Sequence, residues 1–232
     1  MHNIEKNLKQ VQAQILEAAN SAGRDPSEIT LLAVSKTKPV EDLLAAYQAG
    51  QSEFGENYLQ EAESKIQALA GKPIQWHFIG PIQSNKTRKI SELFDWVHSV
   101  DRLKIAQRLD EHRPAQLQPL NILLQVNIDN EPSKSGVPVD QVLSLAEQVA
   151  GLPRVKLRGL MAIPAEQQEY EKQSESFARM RALLDALQQS HPDCDTLSMG
   201  MSGDMKAAIA QGSTLVRIGT AIFGKRNPRD RL

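Results

Sequence analysis

Short apolar runs rich in β-branched residues alternate with longer stretches of helical periodicity along the whole chain. Each run has the length of a strand and is bounded by turn or cap residues. The pattern predicts eight strands, over Leu31–Lys36, Glu53–Tyr58, Ile74–Gly80, Trp96–Val100, Asn121–Ile128, Leu157–Ile163, Thr196–Gly200 and Thr214–Gly219. It predicts helices before the first strand and over Pro39–Ala49, Tyr58–Ala70, Ser84–Leu93, Asp101–Arg113, Pro138–Ala150, Glu166–Ser190 and Ser202–Gln211.

Residue chemistry predicts several of the helix ends. Pro39 suits a first helical position, and Gly50 and Gly212 stand where a left-handed residue ends a helix. Ser84 and Asp101 are expected to be N-caps, because their side chains accept hydrogen bonds from free backbone N–H groups.

The order of these elements predicts an α/β fold. Strands that are apolar on both faces and separated by helices imply a parallel sheet covered by helices. Eight such units favour a single (β/α)8 TIM barrel with an extra N-terminal helix. An open doubly wound sheet is the alternative, but no Gly-x-Gly-x-x-Gly follows an early strand and no composition break marks a second domain. We therefore expect residues 1–232 to form one barrel domain, with 225–232 a frayed tail.

Composition narrows the function classes. The 232 residues carry 27 Lys+Arg against 28 Asp+Glu, so the broad basic field needed for nucleic-acid binding is absent. No signal peptide and no apolar stretch of membrane-spanning length is found, and one cysteine, Cys194, fits a reducing compartment. We expect a cytoplasmic protein. No metal site is predicted, because the histidines lack ligand spacing; they are His2, His77, His98, His112 and His191.

Lys36 is the first candidate for chemistry, because active sites of such barrels lie at the carboxyl ends of the strands. Strand alternation puts Leu32, Val34 and Lys36 on one face. If that face is the barrel interior, desolvation lowers the pKa of the amine and makes it a competent Schiff-base nucleophile. The alternative is a strand-end lysine that extends into solvent.

Two loops are candidates for an anion site. The segment SMGMSGDM places Gly200 and Ser202 before a helix, where free N–H groups favour a phosphate; alternatively Ser202 only caps a helix that contains Asp204. The segment RIGTAIFG supplies a second loop, with Gly219 and Thr220. Barrel enzymes frequently bind phosphate after strands seven and eight, so the pair predicts a phosphate site.

Three other residues leave alternatives open. Arg217 lies among apolar neighbours, so it is expected to be buried, either in the site or in an ion pair with Glu56. His77 is either functional or a hydrogen-bonded residue of the interior. Cys194 lacks an identifiable base, which favours a passive thiol.

Six ordered motifs together resemble one known family. LLAVSKTKP, FGENY, WHFIGPIQSNK, RGLMAIP, LSMGMSGDM and RIGTAIFG are similar to those of the pyridoxal phosphate homeostasis proteins. That family is similar to the barrel domain of alanine racemases, the fold type III group of pyridoxal-phosphate proteins. The motifs run from the first predicted strand to the last.

The resemblance implies pyridoxal 5'-phosphate as cofactor and a set of binding residues. Lys36 would hold the cofactor as a Schiff base, Asn57 would lie beside its ring and Arg217 would face its pyridine nitrogen. The phosphate would be held by Met201, Ser202, Gly219 and Thr220. Because arginine does not readily release its proton, the pyridine nitrogen would stay unprotonated, and carbanion chemistry would be poorly supported.

The resemblance also implies a role. We expect the protein to act in vitamin B6 homeostasis, binding pyridoxal phosphate, buffering it and supplying it to apo-enzymes, without turnover. The chain ends where a racemase would begin its second domain, which favours a non-catalytic monomer. The alternatives are an amino-acid racemase or related carbanion enzyme, and a phosphosugar-type barrel enzyme with no cofactor. Lys134 matches a position of the family and would either assist cofactor transfer or be a solvated loop lysine.

Overall fold

The computed structural model of the protein describes residues 3–131 and 134–225. His2 and residues 226–232, which make up nearly all of the predicted frayed tail, lie outside the described residues.

The described residues contain strands and helices in regular alternation. The strands are β1 (Thr30–Val34), β2 (Glu53–Glu56), β3 (Gln75–Phe78), β4 (Trp96–Val100), β5 (Leu120–Asn127), β6 (Val137–Pro138), β7 (Val155–Ala162), β8 (Thr196–Ser198) and β9 (Leu215–Ile218). The helices are α1 (Ile4–Ser21), α2 (Val40–Gln48), α3 (Leu59–Ala68), α4 (Thr87–Leu93), α5 (Leu103–His112), α6 (Val142–Ala150), α7 (Tyr170–Ser190), α8 (Met205–Ala210) and α9 (Thr220–Phe223). Short 3-10 helices lie at Pro26–Glu28, Ser84–Lys86 and Val139–Gln141.

Eight parallel strands close into a barrel, which confirms the predicted (β/α)8 fold. The strands follow the order β4-β3-β2-β1-β9-β8-β7-β5, and a further pairing between β4 and β5 closes the ring. The two-residue strand β6 pairs beside β5 and was not predicted. Since the strands are parallel, the carboxyl ends of all eight lie at one mouth of the barrel and their amino ends at the other.

Apolar side chains between the barrel and the helices form the core. The amphipathic helix α1 buries Ile4, Leu8, Val11 and Ile15 against it, and Asn3 caps the helix by accepting the Lys6 N–H at 2.9 Å. On the strands, alternate residues face outward into this layer, as Ala33 and Phe54 do on the neighbouring strands β1 and β2. The other residues of each strand face the barrel interior.

Some of the predicted helix ends are confirmed and others are wrong. Gly50 and Gly212 adopt positive φ angles of 97° and 92°, as predicted for residues that end a helix. Ser84 is not an N-cap, because it begins a 3-10 turn that leads into α4. Asp101 is not one either: Arg102 occupies the N-cap of α5, and the Asp101 carboxylate binds its guanidinium at 2.6 Å. Pro39 precedes the first helical residue by one position.

Several predicted boundaries change, and three of the changes concern Lys36, Pro138 and the segment after β9. Lys36 lies beyond β1 and not within it, because the chain turns there through Thr37, which has a φ of 63°. The helix predicted from Pro138 begins only at α6, since Pro138 pairs with β5 as a strand. The loop predicted after β9 contains the four-residue helix α9.

Candidate functional site

Lys36 lies in a turn whose two flanking residues are fixed by hydrogen bonds. The Ser35 N–H donates to the Gly55 carbonyl at 3.0 Å, in continuation of the pairing of β1 with β2. The Thr37 N–H donates to the Glu61 carboxylate at 2.6 Å and thereby holds the left-handed conformation of Thr37. The half-buried Lys36 is therefore held in position at the carboxyl end of β1.

A buried ion pair between Lys65 and Glu56 contacts the backbone of this turn at Ser35. The ammonium of Lys65 binds Glu56 at 2.8 Å, Glu61 at 2.5 Å and the Ser35 carbonyl at 2.7 Å. The Ser35 hydroxyl donates to Glu56 at 2.6 Å. Burial raises the pKa of Glu56, against the opposing effect of the Lys65 charge. The prediction that Glu56 could pair with Arg217 is wrong, since Lys65 is its partner.

Lys65 was missed in the sequence although a signal is present. It lies on α3 between the buried residues Ala62 and Leu69, at the spacing of the helix's apolar face. A lysine at such a position needs a buried acceptor, and Glu56 is the buried carboxylate at the end of the preceding strand.

Arg217 is buried in the barrel interior without a carboxylate in contact among the described residues. Its guanidinium donates to the Ser198 carbonyl and hydroxyl, both at 2.8 Å, and to the Ala162 carbonyl at 2.9 Å. Burial lowers the pKa of Arg217 to about 10, while the negative charge of Asp204 acts in the opposite direction. The side chain thus stays a cation and a pure donor at neutral pH.

Asn57 follows β2 directly and offers an unused acceptor. Its Oδ1 atom is buried and has no hydrogen-bond partner within the described part of the chain. Gly80 fixes the backbone beside it, because a Cβ on Gly80 would lie 2.1 Å from the Asn57 carbonyl oxygen. A buried amide oxygen without a partner is costly, and a bound ligand would satisfy it.

The loop after β8 exposes the predicted phosphate residues Met201 and Ser202. Ser202 is not the cap of α8, since Asp204 occupies that position. The Asp204 carboxylate accepts the Met201 N–H at 2.6 Å. Burial raises the pKa of Asp204. A phosphate bound by the Met201 N–H would therefore have to displace this carboxylate, whereas the Ser202 hydroxyl is accessible.

The loop after β9 lies against the Lys36 turn. A Cβ on Gly219 would meet the Val34 carbonyl oxygen at 3.1 Å, so glycine allows close approach of the two strands' ends. Thr220 begins α9 and is exposed. Lys38, two residues after Lys36, donates to the carbonyls of Phe223 and Gly224 at 3.1 and 3.0 Å.

The predicted cofactor residues come from four strands that adjoin in the barrel, in the order β2-β1-β9-β8. They are Lys36, Asn57, Met201, Ser202, Arg217, Gly219 and Thr220. The set combines an amine, an unsatisfied amide oxygen, a buried cation and two accessible hydroxyls, which fits pyridoxal phosphate. The carboxylate of Asp204, which accepts the Met201 N–H, opposes an anion beside the predicted phosphate loop.

The structure also bears on the alternatives that the sequence left open for His77 and Cys194. His77 is a hydrogen-bonded residue of the interior, bound to Glu53 and His98. Burial and the neighbouring Asp195 and Asp193 raise the pKa of Cys194 to about 11, which supports a passive thiol.

Two absences hold for the parts of the chain that are described. Residues 3–131 and 134–225 contain no group of three or more His, Cys, Asp or Glu residues that could hold a metal ion. None of the helices in these residues is both long and apolar enough to cross a membrane.

Lys134 lies at the same mouth of the barrel. It forms an ion pair with Glu131 at 2.8 Å and donates to the Ile163 carbonyl at 3.3 Å. It lines a cavity of about 820 Å³ together with Met201 and Asp204. Lys134 is thus near the predicted phosphate loop, and its role in cofactor transfer stays a prediction.

Comparison with known proteins identifies close relatives. The family model for the alanine racemase N-terminal domain matches residues 3–227. Proteins named pyridoxal phosphate homeostasis protein are 55% identical in Vibrio alginolyticus, over 98% of this chain and 99% of theirs, and 55% identical in Escherichia coli K12, over 98% of both. The Pseudomonas aeruginosa protein of the same name is 58% identical, over 98% of this chain and 97% of its own.

Solved structures agree with the fold. PipY of Synechococcus elongatus, solved with pyridoxal phosphate bound, superposes with a TM-score of 0.84 at 37% identity, over 95% of this chain and 100% of PipY. Alanine racemase from Corynebacterium glutamicum gives a TM-score of 0.71 at 17% identity, over 97% of this chain and 62% of the racemase. The second likeness concerns the barrel fold alone.

Proposed function

The chain belongs to the family of pyridoxal phosphate homeostasis proteins, and we propose that it binds pyridoxal phosphate through a Schiff base on Lys36 and supplies it to apo-enzymes. Pyridoxal phosphate brings an aldehyde, which condenses with amines, and a dianionic phosphate. The protein's own residues must therefore present one amine, orient the ring and hold an anion.

The observation that carries the proposal is the anchored turn of Lys36. Hydrogen bonds on both sides, from Ser35 to β2 and from Thr37 to Glu61, fix the backbone from which the amine extends. We assign covalent attachment to Lys36 because of this position at the carboxyl end of β1 and because its motif resembles that of the family. Lys38 is the other lysine of this turn, and it donates to backbone carbonyls at the end of α9.

The surrounding residues support binding without turnover. Asn57 offers its unsatisfied Oδ1 atom to a group beside the ring, and Ser202 and Thr220 offer hydroxyls to the phosphate. Arg217 presents an N–H donor to the ring nitrogen and does not release its proton at neutral pH. A ring nitrogen that stays unprotonated withdraws electrons weakly, so this site favours carriage of the cofactor over carbanion chemistry.

Borohydride trapping tests the attachment. The loaded protein is reduced, digested and mapped by mass spectrometry, with the adduct expected on the peptide that contains Lys36. Lys36→Ala should lose the adduct and the absorbance of the bound cofactor. Lys38→Met serves as the matched control from the same turn and should keep both, and so should Lys134→Ala. An adduct on another lysine in the wild-type protein would refute the assignment.

Two assays separate supply from the alternatives. Transfer to an apo-enzyme is measured with and without a scavenger of free pyridoxal phosphate; activation that survives the scavenger indicates direct delivery, and activation that disappears indicates a reservoir. Deuterium incorporation at Cα of amino acids in heavy water, at turnover rates that depend on Lys36, would instead favour a racemase.

The remaining parts of the proposal concern location and assembly. We place the protein in the cytoplasm, where its one cysteine stays reduced, and we propose a monomer. Light scattering coupled to size exclusion checks the assembly: a mass near 25.7 kDa is expected, and a stable dimer would contradict it.

A further inference from the structure

A continuous chain of hydrogen bonds runs through the inside of the barrel and ends at Arg217. Glu53 Oε2 lies 2.6 Å from His77 Nε2, and His77 Nδ1 lies 2.9 Å from His98 Nε2. His98 Nδ1 lies 3.0 Å from the Ser198 hydroxyl, which accepts from Arg217 at 2.8 Å. We call Glu53, His77, His98 and Ser198 the barrel relay.

The barrel relay connects the two mouths of the barrel. Its members come from β2, β3, β4 and β8, and because β4 and β8 are not neighbours, the contact from His98 to Ser198 crosses the interior. His77, His98 and Ser198 are buried, whereas the Glu53 side chain is 23% exposed. Glu53 and His77 line a cavity of about 530 Å³ that also contains Thr30 at the start of β1, so it opens at the amino ends of the strands.

The direction of every hydrogen bond in the relay follows from Arg217, which only donates. The Ser198 hydroxyl accepts from Arg217. The single proton of this hydroxyl has His98 Nδ1 as its acceptor among the described residues. Burial, assisted by the positive charge of Arg217, holds the pKa of His98 well below its usual value, so the ring is neutral. His98 then carries its proton on Nε2 and donates to His77.

The same reasoning fixes His77. Its Nδ1 atom accepts from His98, so the proton of a neutral ring lies on Nε2 and is donated to the Glu53 carboxylate. All four donors thus point from Arg217 toward Glu53. The relay aligns dipoles between a buried cation and the carboxylate at the far mouth, and aligned hydrogen bonds polarise one another.

We propose that the barrel relay positions Arg217 against the cofactor's ring nitrogen. The inference rests on the proposed function, because the orientation of Arg217 matters only if a ring faces it. Arg217 contacts backbone carbonyls and one hydroxyl, and the relay links that hydroxyl to the negative charge of Glu53. Loss of the Ser198 hydroxyl leaves Arg217 held by two backbone carbonyls alone, with its charge less well compensated.

The direction of the hydrogen bonds in the barrel relay also excludes proton transfer toward Arg217. Each relay proton is donated away from Arg217, and the reversed order would leave the Ser198 hydroxyl proton without an acceptor among the described residues. The barrel relay therefore acts by positioning and by charge, and it supplies no proton to the ring nitrogen.

The first test needs no cofactor. Nuclear magnetic resonance of the 15N-labelled protein without pyridoxal phosphate, recorded with imidazole two-bond correlations, assigns the tautomers of His77 and His98. We expect the proton of each ring on Nε2, with Nδ1 accepting a hydrogen bond. A proton on Nδ1 of His98 would overturn the relay and leave the proposed function intact.

The second test uses variants loaded with pyridoxal phosphate. Ser198→Ala removes the hydroxyl that Arg217 binds, and loss of a hydrogen bond to a charged group should weaken cofactor binding by about tenfold or more. The absorption maximum of the bound cofactor should shift, which a purely structural role would not cause. Ser198→Thr keeps the hydroxyl and should restore both. Glu53→Gln should shift the absorption maximum in the same direction by less.

The matched control removes a Glu–His pair outside the barrel. The exposed Glu147 lies 3.2 Å from His191, which follows α7, and Glu147→Gln should change neither affinity nor absorption. Unchanged binding and absorption in both Ser198→Ala and Glu53→Gln would overturn the positioning role. A wild-type protein that binds no cofactor would instead refute the proposed function. The NMR experiment would still test the tautomers of His77 and His98 independently.

Discussion

Replacement of Lys65 by methionine should destabilise the barrel and loosen the turn that carries Lys36. Lys65 is 3% exposed and its ammonium is the one cation in contact with the Glu56 carboxylate among the described residues. Methionine fills a similar volume but offers no charge and no donor. The variant therefore leaves the Glu56 carboxylate buried with the Ser35 hydroxyl as its remaining donor.

The size of the effect follows from that uncompensated charge. Removal of one partner from a buried ion pair costs about 3–5 kcal/mol in the free energy of unfolding. The Glu56 side chain is fully buried and its Oε2 atom already lacks a partner in the described residues, so solvent offers no compensation. For a chain of this length the loss corresponds to a fall in Tm of about 6–20 °C.

The assay is urea unfolding of the wild type, Lys65→Met and the double variant Lys65→Met/Glu56→Gln. The double variant removes both charges and should recover more than half of the loss. Lys89→Met is the matched control, because Lys89 forms an exposed ion pair with Glu63 at 2.7 Å that solvent screens. Its unfolding midpoint should stay close to that of the wild type.

The pH dependence gives a second signature. In Lys65→Met the pKa of Glu56 rises further, since burial is no longer opposed by the ammonium. A carboxyl whose folded pKa exceeds its unfolded value contributes its full stability below the unfolded pKa, and this is lost as the pH rises through the folded pKa. The variant should thus lose less stability at pH 5 than at pH 8. An equal loss at both, or a double variant no better than the single one, would refute the reasoning.

Three further predictions concern the interior and the loops. Gly80→Ala should lower Tm and weaken cofactor binding in a titration, because a Cβ there would lie 2.1 Å from the Asn57 carbonyl oxygen; equal binding would contradict the role of Asn57. Burial lowers the pKa of His98, so as the pH drops below about 6.5 the unfolded chain binds a proton at this residue before the folded chain does. The free energy of unfolding should therefore fall by up to about 1.4 kcal/mol per pH unit. Urea unfolding of the wild type and of His98→Gln at several pH values checks whether that slope depends on this ring. Ser202→Ala combined with Thr220→Val should weaken binding of pyridoxal phosphate but not of pyridoxal, and an equal effect on both ligands would exclude a phosphate site.

Most of the fold was predictable because its signals are local. Apolar runs and helical periodicity mark each strand and helix within a short window, and the regular alternation implies the closed parallel barrel. The errors lie at element ends, where a few backbone angles decide. β1 ends at Val34, before Lys36, in a turn that runs through Thr37, and Pro138, expected to begin a helix, pairs with β5 as a strand.

The candidate site was predictable in part for the same reason. The motifs around Lys36, Ser202 and Thr220 are contiguous stretches, so their positions at strand ends follow from the strand assignment. The hydrogen-bond and ion-pair partners of the site residues do not follow from the strand assignment. The sequence offered the buried Arg217 as a partner for Glu56, and the packing of α3 under the Lys36 turn supplies Lys65 instead.

The sequence by itself determined the alternation of elements, the closed barrel and the residues at the carboxyl ends of β1, β2, β8 and β9. The tertiary structure alone decided which buried polar groups meet inside. His98 and Ser198 are 100 residues apart in the chain and approach to 3.0 Å because closure of the barrel brings the non-adjacent strands β4 and β8 within reach across the interior. Hydrogen-bond partners across a closed sheet depend on register and depth, which no local pattern of residues records.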